Sequence, residues 1–377
     1  MKKVWTWCKQ EAVLVIACVL AIASAFVVHP DKQYIHYVDF RTLAILFSLM
    51  AVMAGLQKIG LFRYVAEKLL GKVRHIRTLV FVLIMLCFFS SMLITNDVAL
   101  ITFVHFTFIV LQIILGEHAE KLVVPIVVMQ TVAANLGSML TPIGNPQNLY
   151  LYGKSAMDFG EFILLMLPYT AVAFLMLTVW CLIFPYKGKK SFELTLRNNI
   201  SLDSCKKQLV LYAVLFVLCL LTVVHIVPYG VTLGVVIAVV FLLDRHVLRE
   251  VDYALLFTFV GFFIFIGNMG RVPAFNEFIQ KIIDGNEVLT SVIASQFMSN
   301  VPAALLLSGF TNAYELLIIG TNLGGLGTLI ASMASLISFK SIGKEYKHLR
   351  GKYLLYFTVV NIIFLIVLYG GSKIAGI

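Results

Sequence analysis

Ser91, Thr95 and Asn96 stand at positions i, i+4 and i+5, and Ser295, Ser299 and Asn300 repeat the same chemistry at the same spacing. Residues i and i+4 share a helix face, so each set stacks two hydroxyls beside a carboxamide. Hydroxyl and amide oxygens coordinate small cations, while the O–H and N–H groups beside them hold anions. A second pattern also recurs: Asn135-Leu136-Gly137-Ser138-Met139-Leu140-Thr141-Pro142-Ile143 and Asn322-Leu323-Gly324-Gly325-Leu326-Gly327-Thr328-Leu329-Ile330. Asn, Leu, Gly, Thr and Ile coincide, and Leu149 and Leu336 continue the register. Each stretch lies in a long apolar run, where clustered Asn, Gly, Ser and Thr give a helix nothing. Non-helical backbone survives in hydrocarbon only where it lines a cavity or is buried in protein. Interruptions at matching places in two halves of a membrane chain point to a transporter's binding site.

Asp97 is the one acidic residue that falls deep in an apolar segment. A carboxylate there is costly, which makes ion coupling or proton relay the default reading. Capping of the helix that follows is the rival, because Asp is a good N-cap. Its counterpart in the second half is Val301, so the tips differ. Gly144-Asn145-Pro146-Gln147-Asn148 sets amides around a proline directly after the first break, as a wall of the site would. The candidate substrate contacts are Thr95, Asn96, Asp97, Thr141, Asn145, Ser299, Asn300 and Thr328. His105 reads as a packed histidine rather than a relay.

The elements that position these residues follow from composition. The chain is 60 % hydrophobic and 13 % charged, which excludes an ordinary soluble globule. Apolar runs of roughly 17–25 residues recur, each enough to cross a bilayer core as a helix, and no barrel-like alternation is visible. The expected class is an all-α polytopic membrane protein. The formal charge of +10 is no nucleic-acid signature. Lysine and arginine gather in the loops after Leu56, Pro185 and Phe339 and are sparse in the loops between, which is the positive-inside pattern. The six cysteines show no Cys-x-x-Cys spacing, so neither a disulfide framework nor a thiolate metal site is expected.

About nine full spans are expected, near 12–28, 40–57, 122–150, 161–185, 208–226, 229–246, 253–270, 315–339 and 353–373. Segments 76–115 and 288–310 carry polar breaks in their middles and read as re-entrant hairpins. Residues 39–70 align without a gap to 252–283: Asp39-Phe40 meets Asp252-Tyr253, and Lys58-Ile59 meets Arg271-Val272. Leu61–Gly71 and Ala274–Gly285 are amphipathic and suit helices lying along the interface. Each half is then two spans, an interfacial helix, a hairpin, a broken span and a closing span. Residues 1–186 form the first repeat and 228–377 the second. Residues 187–227 hold a basic loop and one linking span, and that extra crossing makes the second repeat inverted. Met1-Lys2-Lys3 and the apolar stretch to Phe26 imitate a signal peptide, but an uncleaved first span with its amino end in the cytoplasm is expected. No Walker A sequence, His-Glu-x-x-His or Gly-x-Ser-x-Gly appears, so ATP hydrolysis and the commonest membrane-enzyme chemistries are not expected.

Ser91–Asp97, Asn135–Asn148, Ser295–Pro302 and Asn322–Ser335 resemble the ion transporter superfamily over about residues 12–373. That superfamily includes divalent-anion/sodium symporters, citrate-transporter-like permeases, arsenite permeases and one class of sodium/proton antiporters. In the dicarboxylate symporters Ser-Asn-Thr motifs sit at both hairpin tips. Here Thr95-Asn96-Asp97 and Ser299-Asn300-Val301 lose the third position, and Asn-Asp looks more like the arsenite-permease and antiporter branches. The resemblance implies one cation site from Ser91, Thr95, Asn96 and backbone near Gly137, and another from Ser295, Ser299, Asn300 and backbone near Gly324. It also implies a homodimer with elevator-type alternating access. The expected function is secondary active transport of a small carboxylate or inorganic oxyanion across the cytoplasmic membrane. Na⁺ or H⁺ is the expected coupling ion and no cofactor is expected. The alternatives are a Na⁺/H⁺ antiporter using Asp97 and an arsenite-type efflux permease.

Overall fold

The computed structural model describes residues 11–71, 73–184 and 205–374. The basic amino end, Lys72, and the loop residues Lys187, Lys189, Lys190 and Arg197 lie outside them. Among the described residues every regular element is helical. The first half runs α1 (Ala12–Val27), a short α2 (Tyr34–Tyr37), α3 (Phe40–Ile59), α4 (Leu61–Leu70), α5 (Ile76–Ser90), α6 (Asn96–Leu115), α7 (Glu120–Ser138), α8 (Pro146–Lys154) and α9 (Phe159–Ile183). A linking helix, α10 (Lys206–Val223), follows. The second half runs α11 (Tyr229–Asp244), α12 (Tyr253–Gly270), α13 (Pro273–Ile283), α14 (Glu287–Met298), α15 (Asn300–Leu307), α16 (Tyr314–Gly324), α17 (Met333–Glu345) and α18 (Arg350–Ile374).

The sequence marks these boundaries with caps. Asp39 and Asp252 accept from the backbone N–H groups of Thr42 and Leu255, opening α3 and α12 alike. Asp158 and Glu161 form a reciprocal capping box at the start of α9. Gly60, at φ 84°, turns the chain from α3 into α4 in a conformation that costs glycine little.

Among the described residues seven helices are long and apolar enough to cross a membrane: α3, α6, α7, α9, α10, α12 and the stretch Lys347–Lys373 containing α18. Shorter apolar helices and the hairpin arms stand beside them. The spans expected at 12–28 and 229–246 are helices of 16 residues each, about 24 Å long and short of a ~30 Å core. In the segment read as the first hairpin, α6 alone has 20 residues and the length of a full span. The second hairpin is shorter, with arms of 12 and 8 residues, about 18 and 12 Å, and neither reaches across.

The two halves recur in packing as well as in order. Helix α1 lies on α12 and α11 lies on α3, so each half's first helix serves the other half. Two ion pairs repeat the exchange, Lys58 with Asp244 and Arg271 with Asp31. Both are exposed and add little stability, but they occupy matching positions. Within each half the hairpin's first arm packs on the leading half of the broken span, α5 on α7 and α14 on α16. Across the halves, α6 packs on α17 and α15 on α8.

The close approach of α5 to α7 and of α14 to α16 requires glycine at two matching positions. A Cβ on Gly137 would collide with the Phe88 carbonyl and the Ser91 hydroxyl, and one on Gly324 with the Ser295 side chain. Gly137→Ala and Gly324→Ala should each destabilise the protein by about 1–3 kcal/mol, the usual range for overpacking. Thermal melting of the purified variants checks this; wild-type melting would show that the hairpin arm is not seated there. The inversion expected from the sequence has its own test. Single cysteines replacing Lys58 and Arg271 in a cysteine-free background should react with an impermeant thiol reagent from opposite sides of the membrane. Reaction from one side would rule inversion out.

Candidate functional site

Both hairpin tips are tied to the break of their own half by one backbone bond. The Asn96 N–H donates to the Gly144 carbonyl at 3.2 Å, and the Asn300 N–H donates to the Ala331 carbonyl at 2.9 Å. A threonine latch repeats alongside, Thr141 Oγ1 donating to the Met92 carbonyl and Thr328 Oγ1 to the Gln296 carbonyl. Ser91 and Ser295, both fully buried, turn their hydroxyls back onto Phe88 and Ser291 carbonyls of their own helices.

The breaks are then tied to each other. Asn135, near the end of α7, donates to the Gly325 carbonyl and the Ser335 hydroxyl, and its Oδ1 accepts from Ser332 Oγ at 3.0 Å. The same Oδ1 accepts from Asn96 Nδ2 at 3.1 Å. Asn322, near the end of α16, accepts from Asn145 Nδ2 at 3.1 Å and donates to Asn148 Oδ1 at 2.6 Å. Asn135 pairs with Asn322 in the repeat, Asn145 with Ser332, and Asn148 with Ser335, all at one sequence offset. Each half's motif asparagine therefore braces the other half's break. One turn earlier on α7, Thr131 continues the seam to Ser338 at 2.8 Å.

Four helix starts and four helix ends meet in this cluster. Helices α6, α8, α15 and α17 begin here, and α5, α7, α14 and α16 end here. Asn145 caps α8 by accepting from the Asn148 N–H, with Pro146 at the first helical position. Helix starts present N–H groups and partial positive charge to an anion, and helix ends present carbonyls to a cation. All these asparagines are buried. An unpaired buried polar group costs about 1–3 kcal/mol, so the network is an all-or-none arrangement.

The remaining sequence candidates fall around this cluster in distinct ways. Thr95 is the N-cap residue of α6, but its side chain makes no capping bond. Asp97 lies in the first turn of α6, and its Oδ1 is buried without a hydrogen-bond partner. Asp97 is therefore not a hydrogen-bonding cap. Ser299 is the single residue between α14 and α15, held at φ 75° and ψ 153°. A side chain in that region stores about 1–3 kcal/mol of strain, and such residues gather at functional sites. Thr328 sits at the exposed edge, bonded through its N–H and hydroxyl to Gln296. His105 lies outside the cluster on the exposed face of α6, its Nδ1 2.8 Å from the Ile101 carbonyl oxygen.

The structure adds Ser332, Ser335 and Gln296 to the cluster. The first two continue the repeat register past Thr328 and stand where Asn145 and Asn148 stand, which is the signal that could have found them. Gln296 carries no repeat signal, because its counterpart is Met92. Gln296 Nε2 donates toward the carbonyls of Gly324 at 3.0 Å and Leu326 at 2.9 Å. Among the described residues no His, Cys, Asp or Glu cluster could hold a transition metal. Two cavities, of about 870 and 370 Å³, are lined by other residues.

Comparison with known proteins places this architecture. A family model described as citrate transporter matches residues 4–313. An uncharacterised transporter of Methanocaldococcus jannaschii is 32 % identical over 350 residues, covering 92 % of this chain and 93 % of that protein. The inner membrane protein YbiR of Escherichia coli is 30 % identical over 322 residues, 84 % of each chain. A silicon efflux transporter of Oryza sativa is 32 % identical over 142 residues, 38 % of this chain and 28 % of that protein. With the family model matched over most of its length and a 30 %-level relative aligned across nearly all of both chains, the protein belongs to the citrate transporter family of membrane transporters.

Proposed function

We propose that the protein is a secondary active transporter of a small anion, a carboxylate or an inorganic oxyanion, coupled to Na⁺ or H⁺. The observation that carries this reading is the convergence of four helix starts and four helix ends in one buried cluster built from both halves. Such a cluster offers N–H groups to the anion and carbonyls to the cation in the same place, which is what coupling requires. Thr95, Asn96, Thr141, Asn145, Ser299, Asn300 and Thr328 are the proposed anion contacts. Ser91, Thr95, Asn96 and the Gly137 backbone are the proposed cation ligands of the first half. Ser295, Ser299, Asn300 and the Gly324 backbone are their second-half counterparts.

The packing favours an elevator. Helices α1, α3, α10, α11 and α12 pack on one another, and the hairpins, broken spans, α9 and α18 pack on one another. The two groups meet along α3 with α8 and α12 with α15, and α4 and α13 run from one group into the other. We place the chain in the cytoplasmic membrane as a homodimer, in keeping with the Escherichia coli relative, an inner membrane protein by name. The rice relative's name gives efflux of silicon, so outward transport of an inorganic solute is within this reading. The unpartnered Oδ1 of Asp97 favours one second reading, a Na⁺/H⁺ antiporter in which Asp97 exchanges the two cations.

The test is uptake of a panel of labelled carboxylates and oxyanions by reconstituted protein, in Na⁺ and in choline. Ser299→Ala with Asn300→Ala should abolish transport of the responding anion while membrane insertion is unchanged. Normal transport by that double variant would remove the second tip from the site. Cation exchange that Asp97→Asn abolishes, with no anion taken up by wild type or any variant, would favour the antiporter.

A further inference from the structure

The two breaks share a sequence register and the tip-to-break backbone bond, and differ in what fills them. At the second break, Gln296 Nε2 lies 3.1 Å from the Val292 carbonyl, 3.0 Å from that of Gly324 and 2.9 Å from that of Leu326. Three carbonyl oxygens thus converge on one nitrogen that carries two hydrogens, the arrangement a small cation would otherwise draw. The amide is held in that orientation, because its Oε1 accepts from the Thr328 N–H at 2.8 Å. Room for it is made by Gly327, at φ 108°, where a Cβ would strike the Gln296 amide.

The first break has no such plug, and its tip is built differently: α5 ends at Ser90, whereas α14 runs on to Met298. Met92 stands at the position of Gln296 and its thioether side chain has no N–H to donate, so the carbonyls of Phe88, Gly137 and Met139 receive no side-chain amide from this position. Asn148 Nδ2 reaches the Met139 carbonyl at 3.3 Å, and Ser91 Oγ the Phe88 carbonyl at 2.9 Å, leaving each oxygen a second lone pair. The charges differ in the same sense. The first tip carries Asp97 with its buried, unpartnered Oδ1, whereas the second carries the buried, apolar Val301. A cation at the first break would be neutralised by a carboxylate. At the second it would add an uncompensated charge to a buried site, which is far costlier than a neutral amide.

We propose that the chain binds a single Na⁺, at the first break, and that the Gln296 carboxamide permanently occupies the place of a second. This rests on the coupled-transport reading and narrows it. The Na⁺ ligands are carbonyl and hydroxyl oxygens around Ser91, Asn96 and Gly137, with Asp97 as the balancing charge. The second tip is left to the anion, with Ser299 and Asn300 at its strained joint.

Equilibrium binding of ²²Na⁺ to the purified full-length protein, with no anion present, tests this. Wild type should bind one ion per chain. Asp97→Asn should weaken binding by more than about tenfold. Gln296→Met should raise the count to two. Two ions or none in wild type would overturn the proposal, as would unchanged affinity in Asp97→Asn protein that melts like wild type. A count that stays at one in Gln296→Met would overturn the role given to Gln296. Because no anion is used, failure here is separate from failure of the transport reading, which the anion panel judges alone.

Discussion

Asn135 and Asn322 perform one task in opposite directions. Each leaves its own half of the chain and satisfies polar groups at the other half's break, Asn135 at Gly325, Ser332 and Ser335, and Asn322 at Asn145 and Asn148. A helix that stops inside hydrocarbon leaves backbone donors and acceptors that water cannot reach. Two such stops can coexist only if each supplies what the other lacks. The glycines that let hairpin arms approach, the threonine latches and the backbone bonds at Gly144 and Ala331 all bring the four helix ends into reach of these asparagines. Without the exchange, neither break would be tolerated and no polar cluster would exist between the halves.

Because the exchange is reciprocal, the bracing of the two breaks is alike, and the residues that break the symmetry are the proposed carriers of specificity. Asp97 against Val301, Met92 against Gln296, and relaxed Thr95 against strained Ser299 are the differences that matter. All three fall at the tips. Under the proposed elevator, matched bracing would let the two halves interchange roles as the site changes side, and the unlike tips would select the cargo.

Much of this was legible in the sequence, because polar residues inside apolar runs are conspicuous. The breaks at Gly137–Asn145 and Gly324–Ser332, the hairpin tips and the gap-free alignment of 39–70 with 252–283 are all visible as interruptions or repeats. The partners of those residues were not. Asn145 meets Asn322 across 177 positions, and Asn135 meets Ser335 across 200, and no local spacing encodes such pairs. Gln296 was invisible for a different reason: a lone glutamine among apolar residues repeats nothing, and its role depends on carbonyls contributed by another helix. The arms of the first hairpin were legible too, since α6 runs from the polar tip at Asn96 to Leu115, the end of the apolar segment.

One polar cluster, shared by both halves, is proposed to couple an anion to a cation. Flux of the responding labelled anion into proteoliposomes tests it most directly, with Na⁺ and H⁺ gradients imposed, reversed and collapsed in turn. Saturable accumulation above equilibrium should follow the sign of one cation gradient and stop when that gradient is collapsed. Unsaturated flux that persists with both gradients collapsed would contradict it and make the cluster the wall of a channel.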